Sequence, residues 1–356
     1  MDENKEQKDP QDFLPKTDIV ASIDSSALDE NTNNLEFENR LDLSELQQSV
    51  QKIKQEVGKV IVGQKDMVDM LIASLLAKGH SLIEGVPGVA KTVTAKLLAK
   101  SLSVGFSRIQ FTPDLMPSDI LGTSVFNLKD SEFEFKKGPI FSNMILIDEI
   151  NRAPAKTQAA LFEVMEEQQI TIDGNKFKLD SPFIVLATQN PVEQEGTYRL
   201  PEAQLDRFLF KIDVDYPNLE EEIEILSREH ELKDKAKFDS ITPFLTGAQI
   251  VKYQDIVAKI LVEKHLIKYI AELIVATRNN QFLYLGASPR ASIAILKSSK
   301  AFAAMSGRDF VTPEDIKRAA IPVLHHRVIV TPEREMEGVS SKQIIKQIIE
   351  TVEIPR

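Results

Sequence analysis

A short glycine-containing loop between an apolar run and a helix-forming stretch is the part of this sequence best suited to chemistry. Residues 81–83 (Ser-Leu-Ile) predict a strand, and residues 93–102 predict a helix. Backbone N–H groups of such a loop, with the positive end of the helix, surround phosphate oxygens more completely than side chains can. We therefore predict a triphosphate site in this loop, which consists of Gly85, Val86, Pro87, Gly88, Val89, Ala90, Lys91 and Thr92.

Two side chains at the end of the loop have separate predicted roles. Lys91 is expected to reach the β and γ phosphates, and the Thr92 hydroxyl is expected to hold Mg²⁺. Ala90 stands where the general pattern G-x-x-x-x-G-K-[ST] has its second glycine. The loop alone therefore leaves open an ordinary glycine turn that begins a helix.

An acidic pair after a buried strand supports the phosphate site. Residues 144–147 (Met-Ile-Leu-Ile) are all apolar and precede Asp148 and Glu149. Such a run is typical of a strand buried on both faces of a parallel sheet, and ligands bind at the carboxyl edge of such sheets. We predict that Asp148 binds Mg²⁺ and that Glu149 polarises the attacking water. The alternative is that the acidic pair lies in a solvated loop. The pair follows the glycine loop at the interval expected of a phosphate site, and this disfavours the alternative.

A third apolar run ends in a polar segment. Residues 183–187 predict another buried strand, and residues 188–191 (Thr-Gln-Asn-Pro) follow it. Asn190 is placed to hydrogen-bond the γ-phosphate or the water, and it senses phosphate because an amide cannot accept a proton at neutral pH. Capping of a turn before the proline is a second role that the same residue can fill.

These segments together resemble the MoxR family of AAA+ ATPases. The stretches that carry the resemblance are residues 84–92, 147–154, 187–198 and 200–208. The alanine at position 90 also fits the family's loop. The resemblance implies ATP hydrolysis with Mg²⁺. It also implies an α/β fold, with a three-layer P-loop domain around a parallel central sheet, followed by an all-helical lid domain.

The likeness extends roughly from Leu43 to Val330 and has one departure. Arg199 stands where the resemblance predicts proline, and we interpret this as a local surface change. In AAA+ proteins the turn that corresponds to Val62 and Gly63 contacts adenine. The resemblance therefore implies that these two residues form the base pocket, and a plain turn between helices is the alternative.

Two arginines receive roles from the resemblance. Arg207 is implied as an arginine finger that reaches the γ-phosphate bound by the adjacent protomer, since a guanidinium stays charged and offers several donors. A surface salt bridge with Asp206 or Glu202 is the alternative. Arg290 begins a helix capped by Ser288 and resembles the second sensor of AAA+ lids. We expect it to face the nucleotide cleft and to act on its own nucleotide or its neighbour's.

Two predicted hairpins interrupt the α/β pattern. One pairs residues 124–127 with 132–135, and the other pairs 170–172 with 176–178. They resemble the AAA+ branch in which hairpins project toward the central channel of a ring. The alternative is that they simply edge the sheet, and both interpretations stay open here.

Composition predicts the domain organisation. The chain has 356 residues, 42% of them hydrophobic, which is enough for two cores. We predict an acidic tail over residues 1–42, an α/β nucleotide-binding domain with two inserted hairpins over 43–215, and a helical lid over 216–356. Within the lid, apolar positions of helical spacing predict a helix over 256–277. The histidines at 325 and 326 are interpreted as surface or packing residues.

Charge is concentrated in the predicted tail. The tail holds 12 of the 54 acidic residues and 4 of the 43 basic ones, so −8 of the net charge of −11 belongs to it. It lacks periodic apolar positions, and we predict a disordered, solvating leader or a partner-binding arm. The near-neutral remainder has no basic cluster, which argues against the alternative of a helicase-like motor acting on nucleic acid.

Other classes are excluded by what the sequence lacks. It has no cysteine, so disulfides and thiolate metal sites are excluded. No apolar run approaches the ~18 residues of a membrane span, and the acidic start is unlike a signal peptide. We therefore expect a cytoplasmic protein.

The resemblance also implies an assembly and partners. It implies a homo-oligomeric ring, expected to be a hexamer, a partner with a von Willebrand factor A domain, and a client protein.

Overall fold

The computed structural model describes residues 41–129, 131–191, 198, 200–231 and 242–355. The predicted tail up to residue 40 lies outside the described residues. So do Arg199 and residues 192–197 of the third resembling stretch. Within the described part of the chain, no helix has the length and apolar composition needed to cross a bilayer.

The α/β part of the chain alternates helices with strands, as the apolar runs predict. Its elements are α1 (Ser44–Gly58), α2 (Lys65–Leu76), β1 (Ser81–Gly85), α3 (Lys91–Ser101), β2 (Leu102–Ser103), β3 (Phe106–Gln110), α4 (Pro117–Leu121), β4 (Gly122–Asn127), β5 (Glu132–Lys137), β6 (Met144–Asp148), α5 (Ala155–Glu167), β7 (Gln169–Ile172), β8 (Asn175–Lys178), β9 (Ile184–Gln189), α6 (Glu202–Leu205) and β10 (Phe210–Val214).

The central sheet has five strands in the order β10-β1-β9-β6-β3, and all the pairings are parallel. Side chains of β6 alternate between the two faces. Met144 and Leu146 pack with α1, α2 and α3, whereas Ile145 and Ile147 pack with α4 and α5. Since both faces are covered by helices, the predicted three-layer architecture is confirmed.

The two hairpins form as predicted, and neither pairs with the central sheet. β4 pairs with β5, and β7 pairs with β8, each as a separate antiparallel sheet. The alternative that they edge the central sheet is therefore wrong. The hairpins pack on each other through Phe135 and Phe177, whose ring centroids are 4.5 Å apart, and through a 2.5 Å hydrogen bond from Ser124 to Asp173.

The lid is helical, as predicted, apart from an antiparallel strand pair, Leu283–Leu285 with Ile329–Val330, and a two-residue strand, Leu245–Thr246, that pairs in parallel with β2. Its elements are α7 (Leu219–Glu231), β11 (Leu245–Thr246), α8 (Gly247–Ala258), α9 (Lys264–Arg278), β12 (Leu283–Leu285), α10 (Pro289–Met305), α11 (Pro313–Leu324), β13 (Ile329–Val330), α12 (Pro332–Met336) and α13 (Ser341–Thr351).

The helix predicted over residues 256–277 is interrupted. α8 ends at Ala258 and α9 begins at Lys264. Between them, Leu261 forms a parallel bridge with Phe310, because its N–H donates to Asp309 O (3.0 Å) and its carbonyl accepts from Val311 N (3.0 Å). Apolar spacing alone could not reveal this break, since the competing hydrogen bonds come from residues about fifty positions away.

The lid is anchored to the segment that enters β10. Arg327 is buried, donates to Asp206 Oδ1 at 2.8 Å and also donates to backbone carbonyls of that segment. His325 Nε2 donates to Lys211 O (2.9 Å), and His326 Nε2 donates to Phe208 O (3.2 Å). Both histidines are buried. Of the two interpretations of this pair, packing is therefore confirmed and surface exposure is wrong.

Candidate functional site

The glycine loop lies between β1 and α3, as its position in the sequence predicts. Gly88 has φ +90°, and a Cβ built there meets no atom within 4 Å, so the space above the loop is open. Ala90, the N-cap of α3, has φ 59° and ψ 18°. This left-handed conformation explains why the general pattern has glycine there, and an alanine tolerates it at a cost of about 1–2 kcal/mol.

The lysine of the loop folds back over the end of β1. Lys91 Nζ donates to the carbonyl oxygens of Gly85 and Val86, the latter at 2.9 Å. An ammonium group in this position lies beside the open loop and carries a compact positive charge. The placement fits a group that would exchange these contacts for phosphate oxygens.

A hydroxyl and a carboxylate meet where a magnesium ion is predicted. Thr92 Oγ1 donates to Asp148 Oδ1 at 2.8 Å, and Thr188 Oγ1 lies 3.3 Å from the same oxygen. Mg²⁺ prefers hard oxygen ligands and is held by one or two carboxylates together with substrate phosphates. The donor set around Asp148 therefore fits Mg²⁺. Among the described residues, no cluster of three acidic, histidine or cysteine side chains offers another metal site.

The second acidic residue leaves the strand in a strained conformation. Glu149 has φ 59°, and its N–H donates to Thr188 Oγ1 at 3.1 Å. Its Oε2 accepts from Gln110 Nε2 at 2.9 Å and lies 2.8 Å from Arg152 Nε. Non-glycine residues in this region of φ cluster at functional sites, where the surrounding structure holds them. The carboxylate is thereby turned into the cavity above the glycine loop.

That cavity, the phosphate-loop cavity, has a volume of about 310 Å³. Asn190 is buried at 7% exposure and lines it, in the position that the sequence predicts for a phosphate sensor. The lining residues are Pro87, Gly88, Val89, Ala90, Lys91, Thr92, Val93, Arg108, Gln110, Asp148, Glu149, Thr188, Gln189 and Asn190.

Two residues of this cavity were missed by the sequence reasoning. Arg108 and Gln110 lie two positions apart on β3, so they share one face of the strand. Arg108 Nε donates to Asp148 Oδ2 at 2.6 Å, and Gln110 contacts Glu149. The available signal was a pair of alternate polar residues just before residues 111–122. Their importance depends on β3 pairing with β6, which one sequence does not show.

The predicted base-pocket residues lie in a different cavity. Val62 and Gly63 line a space of about 440 Å³ together with residues of α1, α2 and α7, including Glu224 and Arg228. Arg228 donates to Gly58 O at 2.9 Å and so ties α7 to the end of α1. Adenine recognition by Val62 and Gly63 stays a prediction.

The two predicted arginines lie together, away from the glycine loop of their own chain. Arg207 is 2.5 Å from Glu166 Oε2 and also donates to Phe162 O at 2.8 Å. Arg290 is 2.6 Å from Glu166 Oε1. The alternative pairing of Arg207 with Asp206 or Glu202 is therefore not found. Ser288 is the N-cap residue of α10, but its hydroxyl accepts no hydrogen bond from the helix N–H groups and donates to Asp206 Oδ2 (2.9 Å).

We name the space beside these residues the arginine cavity, with a volume of about 220 Å³. It shares no lining residue with the phosphate-loop cavity. The expectation that Arg290 faces the nucleotide cleft is therefore not met within the same chain. The lining residues are Ala77, Lys78, Gly79, His80, Met165, Glu166, Gln168, Asp206, Arg207, Leu209, Arg290, Ile293, Ala294, Lys297 and Arg327.

The two cavities lie at opposite edges of the central sheet. Residues 77–80 precede β1, and residues 206–209 precede its parallel neighbour β10. The arginine cavity is therefore at the amino edge, whereas the glycine loop follows β1 at the carboxyl edge. A five-residue strand such as β1 spans about 16 Å. Arg207 is consequently separated from the glycine loop of its own chain by the length of the sheet.

A buried histidine connects two elements at the amino edge of the sheet. His80 Nδ1 accepts from Val185 N (3.0 Å), so its Nε2 carries the proton and donates to Met165 O (3.2 Å). Complete burial lowers the pKa of His80 from 6.5 to about 4. The ring is therefore neutral at physiological pH and links β9 to the end of α5.

Comparison with known proteins gives consistent matches. The model of the ATPase family associated with various cellular activities (AAA) matches residues 80–210, and the AAA lid domain model matches residues 275–348. The chain is 45% identical over 305 residues to the uncharacterised protein YeaC of Bacillus subtilis, covering 85% of this chain and 94% of YeaC.

A further relative and a solved structure also match most of the chain. Chaperone MoxR1 of Mycobacterium tuberculosis is 44% identical over 310 residues, which cover 85% of this chain and 81% of MoxR1. A solved structure from Cytophaga hutchinsonii, described provisionally as an ATPase, has a TM-score of 0.81 and 44% identity, and the match covers 88% of this chain and 97% of that one. The identity to these three proteins is 44–45% over most of both chains, and the carboxyl edge of the sheet carries the glycine loop and the acidic pair. The chain therefore belongs to the MoxR family of AAA+ ATPases.

Proposed function

We propose that this protein hydrolyses ATP with Mg²⁺ at the interfaces of a homo-oligomeric ring, and that each site joins the phosphate-loop cavity of one copy to the arginine cavity of the next. The observation that carries the proposal is the separation of the two cavities by the length of the sheet. Arg207 and Arg290 cannot cross that length. A second copy can present them to the carboxyl edge.

The residues of the phosphate-loop cavity divide the work within one chain. The loop N–H groups and Lys91 bind the phosphates, and Thr92 with Asp148 would hold the metal ion. Bound Mg²⁺ supplies charge neutralisation to the phosphate oxygens. Glu149 orients and polarises the water, and Asn190 hydrogen-bonds the γ-phosphate or that water. Gln110 and Arg152 hold the Glu149 carboxylate until a substrate is present.

The arginines of the adjacent copy complete the site. Guanidinium groups at the γ-phosphate stabilise the charge that develops during phosphoryl transfer, and in related enzymes one such arginine raises the rate by about 10³ to 10⁵. A ring that closes through one repeated interface satisfies this requirement at every site. We propose a hexamer for this ring.

We further propose that hydrolysis drives the remodelling or maturation of a client protein, including insertion of a metal or cofactor, together with a partner that carries a von Willebrand factor A domain. The hairpins support a contact with another protein, because they stand apart from the central sheet and expose apolar side chains. Leu128 at the tip of the β4–β5 hairpin is 85% exposed, and Phe133 is 74% exposed. The similarity to chaperone MoxR1 supports the same class of activity.

Mixed assemblies of two inactive variants test the proposed site. Lys91→Ala removes phosphate binding, and Arg207→Ala removes the group offered to the neighbour, so each uniform assembly is expected to be inactive. In an equimolar mixture about a quarter of the interfaces join an intact Lys91 to an intact Arg207. ATPase activity should therefore return, measured as phosphate release against the mixing ratio.

The matched control mixes Lys91→Ala with Glu149→Gln. Both changes lie in the phosphate-loop cavity, so every site carries one of them and no activity should return. Subunit exchange is verified by fluorescence energy transfer between labelled copies. If the first mixture stays inactive although exchange occurs, or if the control mixture recovers equally, the two-copy site is wrong.

A further inference from the structure

One carboxylate joins the two arginines of the arginine cavity. Glu166 lies at the end of α5, and each of its oxygens contacts a different guanidinium. Oε2 is 2.5 Å from Arg207, and Oε1 is 2.6 Å from Arg290. The arginines come from separate segments, one before β10 and the other at the start of α10. Glu166 thus joins the two guanidinium groups, and the hydrogen bond from Ser288 to Asp206 also links the two segments.

The positive charge that lines the arginine cavity favours a carboxylate between Arg207 and Arg290. The cavity is lined by five cationic side chains, including Lys78 and Lys297, and by two carboxylates, Glu166 and Asp206. Asp206 is already engaged by Arg327 at 2.8 Å and by Ser288 at 2.9 Å. Without Glu166, the guanidinium groups of Arg207 and Arg290 would repel each other, and Arg207 would keep its hydrogen bond to Phe162 O.

Stability does not account for the bridge. Glu166 is 41% exposed at its side chain, and Arg290 is 49% exposed. Ion pairs as exposed as these change the folded-to-unfolded ratio by about fivefold or less. Their geometry matters more, because each guanidinium has five N–H donors and uses only part of them on Glu166. The remaining donors can bind an oxygen-rich anion at the same time.

We propose that Glu166 is a positioning residue that sets Arg207 and Arg290 at one spacing, so that the pair binds the terminal phosphate of ATP on the adjacent copy as a unit. The inference rests on the proposed function, since it concerns the same two-copy site. Misplacement of reacting or binding groups by about 1 Å costs up to 100-fold in rate. Loss of Glu166 therefore lowers kcat in the assembled protein by about 10- to 100-fold.

The variants separate positioning from folding. Glu166→Ala removes the bridge, whereas Glu166→Gln keeps the shape but turns an NH₂ group toward one guanidinium. Both should lower kcat by about 10- to 100-fold, with unchanged affinity of the chain for a fluorescent ADP analogue and an unchanged KM. Glu166→Asp keeps the charge and should recover part of the loss. Glu163→Ala removes an exposed carboxylate of the same helix and should leave kcat unchanged.

Mixed assemblies give a readout that a structural role would not move. Glu166→Ala mixed with Lys91→Ala should regain activity, since intact phosphate loops then meet intact arginine pairs. Glu166→Ala mixed with Arg207→Ala should not, because both changes damage the same face. Glu166→Ala should slow the Arg207→Ala/Arg290→Ala variant no further, as expected when Glu166 acts through those two residues.

Two outcomes overturn the proposal in distinguishable ways. If Lys91→Ala and Arg207→Ala complement each other but both Glu166 variants keep kcat within twofold of the unmodified protein, the positioning role is wrong and the two-copy site stands. If Arg207→Ala fails to complement Lys91→Ala despite subunit exchange, the two-copy site and the role of Glu166 are both wrong.

Discussion

The carboxyl and amino edges of the central sheet carry different kinds of site. At the carboxyl edge, side chains from one chain already contact one another, as Thr92 and Gln110 do with Asp148 and Glu149. At the amino edge, Arg207 and Arg290 converge on Glu166, and no glycine loop of the same chain is present. In the proposed site, one edge binds phosphate by itself, whereas the other offers cations to the adjacent copy.

The proposed two-copy site uses this difference to divide a reaction between copies of one fold. Parallel strands place all their carboxyl ends at the same edge, so a single chain can build a binding site there from the short segments that follow the strands. Cations placed at the opposite edge cannot stabilise the same phosphate. If the proposed two-copy site is right, turnover depends on assembly whereas binding does not.

The largest change in turnover is expected when Glu149 alone is replaced. Glu149→Gln keeps the loop, Lys91 and Asp148 and removes the carboxylate that we propose polarises the water. Turnover should fall by about 10² to 10⁴, while ATP binding is retained. Binding of a fluorescent ATP analogue and phosphate release measure the two effects separately.

Lys91→Ala is the companion variant, which should lose tight ATP binding as well as turnover. The carboxyl edge would not be the hydrolytic site if Glu149→Gln hydrolysed ATP at a near-normal rate. It would not be the binding site if Lys91→Ala bound ATP as the unmodified protein does. The trapped ATP state of Glu149→Gln is also suited to capturing a client or partner.

Acid should act on the amino edge through His80. The pKa of this histidine is about 4 in the folded protein against 6.5 for an ordinary histidine. Between these values the unfolded chain binds a proton that the folded chain excludes, so stability falls as the pH falls from 6.5 toward 4. Lowering the pH from 7 to 5 should cost about 2 kcal/mol through this residue.

The measurement is the free energy of unfolding in denaturant at both pH values. His80→Gln cannot titrate and should lose about 2 kcal/mol of this pH dependence, whatever its stability at pH 7. His265→Gln, which changes a histidine that is 37% exposed at its side chain, should leave the pH dependence intact. An equal acid response in His80→Gln and the unmodified protein would show that the ring is not held neutral by the fold.

The sequence predicted the carboxyl edge much better than the amino edge, and chain connectivity explains why. The glycine loop, the Asp148 strand and Asn190 are each contiguous signals, so periodicity and motif were enough. Arg207 and Arg290 were assigned only through the family resemblance. Glu166 was not identified at all, because its importance comes from contacts with residues 41 and 124 positions away.

The lid shows the same limit. Residues 256–277 have helical spacing, yet the chain breaks where Leu261 pairs with Phe310. The histidines before Arg327 have no periodic pattern that would reveal their burial, since their partners Lys211 and Phe208 lie in the α/β part of the chain. Local patterns predict elements, whereas distant hydrogen bonds decide where elements end and meet.

The smallest expected effect sharpens the description of the carboxyl edge. Arg108 is 46% exposed at its side chain and donates to Asp148, which is 6% exposed. Its guanidinium would therefore compete with the Mg²⁺ ion that we propose at the same carboxylate. Because the pair is partly solvated, its removal is worth about 1 kcal/mol at most, so Arg108→Leu should lower the Mg²⁺ midpoint of ADP binding by up to about fivefold.

The charge-conserving variant decides whether competition is the cause. Arg108→Lys keeps a cation near Asp148 and should shift the Mg²⁺ midpoint less than Arg108→Leu does, in a titration followed with a fluorescent ADP analogue. An unchanged midpoint in Arg108→Leu, with a lower turnover number, would instead show that Arg108 contacts the substrate. In that case the carboxyl edge would contain a catalytic cation of its own, and the division of labour between the two edges would be less complete than their separation indicates.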